Sequence, residues 1–240
     1  MRGVATLLAV LLFAGTAAAQ SPATALAPTG TLRAAINFGN PVLAAELARR
    51  LRVPLTVVPF DSAGSVTSAL GGGSYDIAFL AIDPVRGQGL DFTAPYVLIE
   101  GGYAVRKDAP FGTIDSVDAA GVTVAVATGS AYDLFLSRAL KHATLVRLPT
   151  GNDAAAAFIA GQNDVLAGVK APLAQLVGQT PGMRLLPGRF MAIEQAMALP
   201  KGRDGAALAF LQGFITEMKA NGTVARALAE TGQPDAQVAP

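Results

Sequence analysis

Six apolar residues, Ile77 to Ile82 (IAFLAI), stop abruptly at Asp83-Pro84, and Arg86 stands just beyond. A run this short with turn residues at its end reads as a buried strand. Asp can cap the turn that follows, and Pro suits its first helical position. Arg86 then sits past the C-terminal end of the strand, where open α/β sheets place ligand groups. Two readings of Arg86 stand at this point. It is an exposed surface charge on a short helix, or a planar cationic fork held for an anion.

The surrounding chain repeats the same grammar. Thr31–Asn37 reads as a strand, and Phe38-Gly39-Asn40-Pro41 turns the chain, with Asn40 as helix cap. Val42–Leu51 has helical spacing with Arg49-Arg50 at its end, and Pro54–Pro59 holds a second strand. Strand, helix, strand implies a parallel pair with a right-handed crossover. Gly64–Leu70 reads as a short helix ahead of the Ile77 strand, and Leu98–Arg106 as a strand in which Gly101-Gly102 permits a bend or close approach.

After the polar stretch KDAPF (107–111) a second series opens. Val122–Ala127, Thr144–Leu148, Asp164–Val169 and Arg184–Leu186 read as strands. Ala131–Leu140, Asp153–Ala160 and Ala171–Val177 read as helices, with Ser130 and Asp133 spaced as a capping box. Ile193–Leu199 is an extended run. Ala206–Lys219 and Thr223–Glu230 are closing helices, followed by a polar tail. Residues 30–105 and 107–195 look like two separate parallel sheets.

The first residues carry a different signal. Met-Arg-Gly, an apolar core from Val4 to Phe13 and Ala17-Ala18-Ala19 form the pattern of a secretory signal peptide, with cleavage expected after Ala19. The apolar core is too short for a permanent membrane span. Residues 20–29 read as a linker. The chain has 18 basic and 17 acidic residues, and a cleaved segment carrying Arg2 leaves the two balanced. That balance argues against nucleic acid, which needs a basic field. No Lys/Arg cluster suits a membrane surface. One histidine and no cysteine leave a metal site without ligands, and no cofactor is expected. No G-x-S-x-G elbow or G-x-G-x-x-G fingerprint occurs.

The motifs SYDIAF, Arg86, LDFTAPY, VTVAVATGSAYDLFLSR, AGQNDVLAGV and AMALPKG, in that order from Thr29 to about Gly222, carry a family likeness. The sequence resembles the periplasmic solute-binding proteins of ABC transporters, in the class that carries polar amino acids. The resemblance implies a type 2 periplasmic-binding fold, two Rossmann-like α/β lobes with parallel-dominated sheets joined by two hinge strands. Residues 30–105 with 196–240 would form one lobe and 106–195 the other. The strands would cross near Ala104–Arg106 and Ala196–Leu199. It also implies an exported, monomeric receptor that closes on a small solute and delivers it to permease subunits.

Site residues follow from the same resemblance. Arg86 matches the arginine that grips a ligand carboxylate, and Ala81 and Asp83 flank it at the strand end. Thr128, Gly129 and Ser130 match the second lobe's contribution, where a helix N-terminus favours an anion. Ser130 is equally a plain helix cap. Phe38 falls where the family supplies an aromatic wall, or is a core residue. Two departures stand out. Gly168-Val169-Lys170-Ala171 holds no acid where the family grips an ammonium, and Lys170 would repel one. Only FGNPVLA separates Asn37 from Ala45, where the family has a longer loop. Glu100 and Glu194 are the candidates for the missing negative charge. A rival reading on the same fold is a periplasmic dehydratase acting on prephenate-like or arogenate-like acids, with Glu194 as general acid.

Overall fold

The computed structural model describes residues 21–36, 41–230 and 236–240. The expected signal segment, Phe38 and the Asn40 cap lie outside them. In the first part of the chain the elements are α1 (Pro22–Leu26), β1 (Leu32–Ile36), α2 (Pro41–Leu51), β2 (Leu55–Pro59), α3 (Ala63–Ser68), β3 (Ile77–Ala81), β4 (Leu90–Phe92) and β5 (Val97–Arg106). Then come β6 (Thr123–Ala127), α4 (Ala131–Ala139), β7 (Thr144–Leu148), α5 (Gly151–Ile159), β8 (Val165–Val169), α6 (Lys170–Gln179) and β9 (Met183–Leu185). The chain closes with β10 (Met191–Pro200), α7 (Gly205–Ala220), α8 (Thr223–Glu230) and β11 (Gln237–Val238).

The strands form one hydrogen-bonded sheet in the order β2-β1-β3-β10-β5-β8-β6-β7. Each end is a parallel triplet: β1 lies between β2 and β3, and β6 between β7 and β8. Two separate sheets were expected. The difference lies in β5 and β10, which run antiparallel to each other from Val97 to Gly101 and Met191 to Gln195. Beyond that stretch β5 pairs β8 from Gly101 onward, and β10 pairs β3 from Gln195 onward. The strands therefore change partners at Gly101 and Gln195. Ala104-Val105 already pair within the second half and Ala196–Ala198 within the first, so the crossings precede the positions the resemblance implied. Gly101 also permits a close approach, since a Cβ there would stand 2.8 Å from the Phe190 ring.

Each half of the sheet is covered on both faces, which is why its central strands are apolar throughout. All five residues of β3 are buried. On one face Leu32, Ile77, Phe79 and Met197 pack with Leu43 and Leu47 of α2 and Leu211 and Phe214 of α7. On the other, Ala78 and Leu80 pack with Val66 of α3 and Tyr75. The second half repeats this, with Val124, Val126 and Leu136 on one face and Ala125, Phe158 and Leu173 on the other. A small fifth cluster of Ala81, Ala131 and Ile193 lies where the halves meet.

Two stretches read as irregular are ordered. The supposed linker contains α1, capped by the Ser21 hydroxyl, and its Leu26 is fully buried against the first core. Five residues carry too little periodicity to announce a helix; tertiary burial stabilises it. The polar tail returns as β11 against Val97-Leu98.

Candidate functional site

β3 delivers the chain to Ala81, and Asp83 sets the turn: its Oδ1 accepts the Val85 N–H at 2.8 Å. The helix expected there is a single 3-10 turn, Arg86–Gln88. Arg86 is only 1% exposed, so the surface-charge reading does not hold. Its Nη1 donates to the Ala81 carbonyl at 2.9 Å and its Nη2 to the Gly129 carbonyl at 2.9 Å. One guanidinium thus bridges the two halves. Its Nε is buried without a hydrogen-bond partner. Burial pulls the pKa down to about 10, with Asp83 opposing, so the group stays charged at neutral pH. A desolvated cation with a donor to spare is suited to receive an anion.

The second half meets Arg86 at the start of α4. Gly129 takes φ +67°, a conformation that favours glycine. It also lies against Gly64 of α3: a Cβ on Gly129 would stand 2.8 Å from the Gly64 Cα, and one on Gly64 2.7 Å from the Thr128 carbonyl oxygen. The halves touch backbone to backbone here. Thr128 donates its hydroxyl to the Leu148 carbonyl at 2.9 Å.

The amides expected to be free for an anion are in part engaged. Ser130 caps α4 by accepting the Asp133 N–H at 3.0 Å, and Asp133 Oδ2 accepts the Gly129 N–H at 2.8 Å. Asp133 thus reaches one residue further back than a capping box requires. The complete box lies instead at Thr150 and Asp153. Asp133 is itself buried and paired with Arg147 at 2.9 Å, so a carboxylate of the chain already occupies this helix start.

Charge pairs account for other expected residues. Buried Asp83 meets Arg138 of α4 across the halves at 2.7 Å. Lys170 is bound to Glu100 at 2.8 Å, and Arg189 approaches the same carboxylate at 3.1 Å. Lys170 foremost holds the Glu100 carboxyl below its ordinary range. The repulsion expected of Lys170 is thus offset by Glu100, and Glu100, one of the two acids expected to meet an ammonium, is already paired with two cations. Glu194 is exposed on β10, and its backbone carbonyl accepts the Ile82 N–H at 2.8 Å. Ala81 is buried and offers only its carbonyl, already used by Arg86. A cleft of about 660 Å³ adjoins Arg86, walled by Ser62, Ser65 and Ser68 on one side and Thr128 and Pro149 on the other. Among the described residues no cluster of three or more His, Cys, Asp or Glu could hold a metal.

The sequence profile of the family described as bacterial extracellular solute-binding proteins, family 3, matches residues 39–231. The chain belongs to this family. The family is one of extracellular solute-binding proteins, which favours the receptor reading over the dehydratase alternative. None of the curated proteins matches the chain. Among solved structures, the solute receptor for L-cysteine of Neisseria gonorrhoeae superposes with a TM-score of 0.75 at 22% identity, covering 89% of this chain and 94% of that one. The amino acid ABC transporter substrate-binding protein AbpA from Streptococcus pneumoniae, bound to L-arginine, gives 0.73 at 20%, covering 86% and 96%. The ancestral amino acid-binding protein AncCDT-1, a precursor of cyclohexadienyl dehydratase, gives 0.71 at 22%, covering 88% and 99%. At these identities the likeness establishes the type 2 periplasmic-binding fold, as the sequence implied.

In this family-3 chain, sequence reasoning missed two residues that join the halves, Gly64 and Arg138, and several that line the cleft. Gly64 left a faint signal, as a glycine near a helix start that gains nothing in helix propensity. Arg138 left none, because its partner Asp83 is 55 residues away and only the fold brings them together. Pro149 and the α3 hydroxyls gave no pattern separable from an ordinary turn.

Proposed function

We propose that this solute-binding protein captures a small carboxylate-bearing solute, an amino acid or related organic acid, by closing two lobes on it and presenting it to an ABC importer. One lobe runs from residue 30 to about Gly101 together with 196–240, the other from there to 195, and the mature protein starts after Ala19. The observation that carries the reading is Arg86: buried, charged, bonded to both halves, with its Nε left over. A carboxylate can take two parallel N–H donors from a guanidinium, a geometry lysine cannot reproduce. Ligand contacts that bridge the halves favour the closed arrangement over the open one, which is sufficient to couple binding to closure. Asp83 serves by holding the turn that aims Arg86, and Thr128, Gly129 and Ser130 serve as the facing wall.

The test is isothermal titration of the mature protein against amino acids, hydroxy acids, oxo acids and dicarboxylates. A ligand is expected, and Arg86→Ala should weaken it at least about a hundredfold, in line with the loss of a buried charge-assisted pair. Unaltered affinity in a folded Arg86→Ala variant would overturn the assignment.

A further inference from the structure

The charges around Arg86 can be followed one by one. On the elements that join the halves, the acidic side chains among the described residues are Asp83 after β3, Glu100 on β5, Asp133 on α4 and Glu194 on β10. Asp83 is bound to Arg138, Asp133 to Arg147, and Glu100 to both Lys170 and Arg189. Each is already compensated by a cation. Among the described residues Glu194, and Asp61 just before the Ser62 cap of α3, are the acids near the seam without a salt bridge, and both face solvent. The segment 37–40, Asn-Phe-Gly-Asn, adds no acid.

Beside the Arg86 and Asp83–Arg138 contacts, the halves also meet through an apolar patch. Ala81, Ala131 and Ile193 are buried together, with Ile99, Val169 and Met191 packed against them. An ammonium placed there would lose its water and find no paired anion. The unused group on Arg86 is a donor, the buried Nε–H. An ammonium is donor-only and cannot meet it, whereas a hydroxyl or keto oxygen can accept from it.

Resting on the reading of Arg86 as a carboxylate anchor, we infer that the ligand is a carboxylate without an α-ammonium group, carrying a 2-hydroxy or 2-oxo oxygen. The carboxylate compensates the buried guanidinium, and the neighbouring oxygen takes a remaining guanidinium hydrogen. The rest of the ligand extends along the hydroxyl-lined cleft between α3 and Pro149.

The experiment uses matched triads that differ only at C2: alanine, lactate and pyruvate; norvaline, 2-hydroxyvalerate and 2-oxovalerate; phenylalanine, phenyllactate and phenylpyruvate. Each is titrated calorimetrically into the mature protein. The hydroxy or oxo acid should bind at least tenfold more tightly than its amino counterpart in every triad that binds. An amino-acid preference, removed by Glu194→Gln, would overturn the inference while leaving the carboxylate anchor standing. Binding of no carboxylate at all would overturn both. Arg86→Gln, checked for an unchanged melting temperature, should abolish binding across the triads; retention of binding would show that the selectivity arises elsewhere.

Discussion

Replacing Gly64 by alanine isolates closure from folding. The added Cβ would stand 2.7 Å from the Thr128 carbonyl oxygen and 3.3 Å from the Gly129 Cα, against an ordinary contact of 3.4 Å or more. Both neighbours are backbone, so neither can swing aside. To relieve the clash the halves must part by several tenths of an ångström at this seam. That retreat stretches the 2.9 Å bond from Arg86 Nη2 to the Gly129 carbonyl, which lies in the same place. Overpacking of this kind costs about 1–3 kcal/mol. Under the proposed hinge closure the cost falls on the closed arrangement alone, so ligand affinity should drop by roughly 5- to 150-fold. Gly64 has no positive φ, and alanine is the better helix former, so the fold itself should be as stable or slightly more so. Calorimetric titration with the tightest ligand, a thermal melt, and small-angle scattering with and without ligand measure the three quantities. Gly213→Ala is the control, since nothing lies within 4 Å of its Cβ. Wild-type affinity and a wild-type ligand-induced compaction in Gly64→Ala would refute the reasoning, because the seam would then not belong to the liganded closed state.

Other outcomes follow from the charge pairs. Arg138→Ala removes the cross-half partner of Asp83, and ligand affinity should fall by about 1 kcal/mol, with a weaker salt dependence than wild type; equal salt dependence in titrations at two ionic strengths would contradict this. Gly129→Ala adds strain at φ +67° to its own 2.8 Å contact, so it should lose affinity as Gly64→Ala does and, unlike Gly64→Ala, stability as well. Asp76 is buried; burial alone would raise its pKa, but the bonds from Arg33 and Arg203 outweigh this and hold it below its ordinary value. Its contribution to stability is therefore complete above the unfolded pKa of about 4 and is lost as pH falls through the depressed folded value. Urea melts should show wild type losing stability as pH falls below about 4, and Asp76→Asn both starting lower at pH 7 and losing less.

Much of this was legible locally. The IAFLAI run, the helical spacing of Val42–Leu51 and the turn chemistry between them are short-range signals, and each became the element expected within a residue or two. Capping is nearly as local, but Ser130 and Asp133 show its limit. The sequence spacing suits a reciprocal box, yet the carboxylate bonds the Gly129 amide because the strand end presents that N–H to it. Lys170 shows a larger limit. Its charge is plain in the sequence, while its effect on a ligand depends on Glu100, 70 positions away, which cancels it. The linker reading failed for a related reason, since α1 owes its order to burial against α7 and not to its own five residues.

The alternation of strands and helices, the family motifs and the position of Arg86 at a strand end rest on periodicity and neighbouring residues, so they were readable along the chain. That β5 and β10 pair and fuse the halves into one sheet, that Gly64 and Gly129 touch, and which carboxylates are already compensated became visible only in the fold. Those are contacts between residues distant in the chain. A buried charge means little until its partner is known, and partners are chosen by the fold.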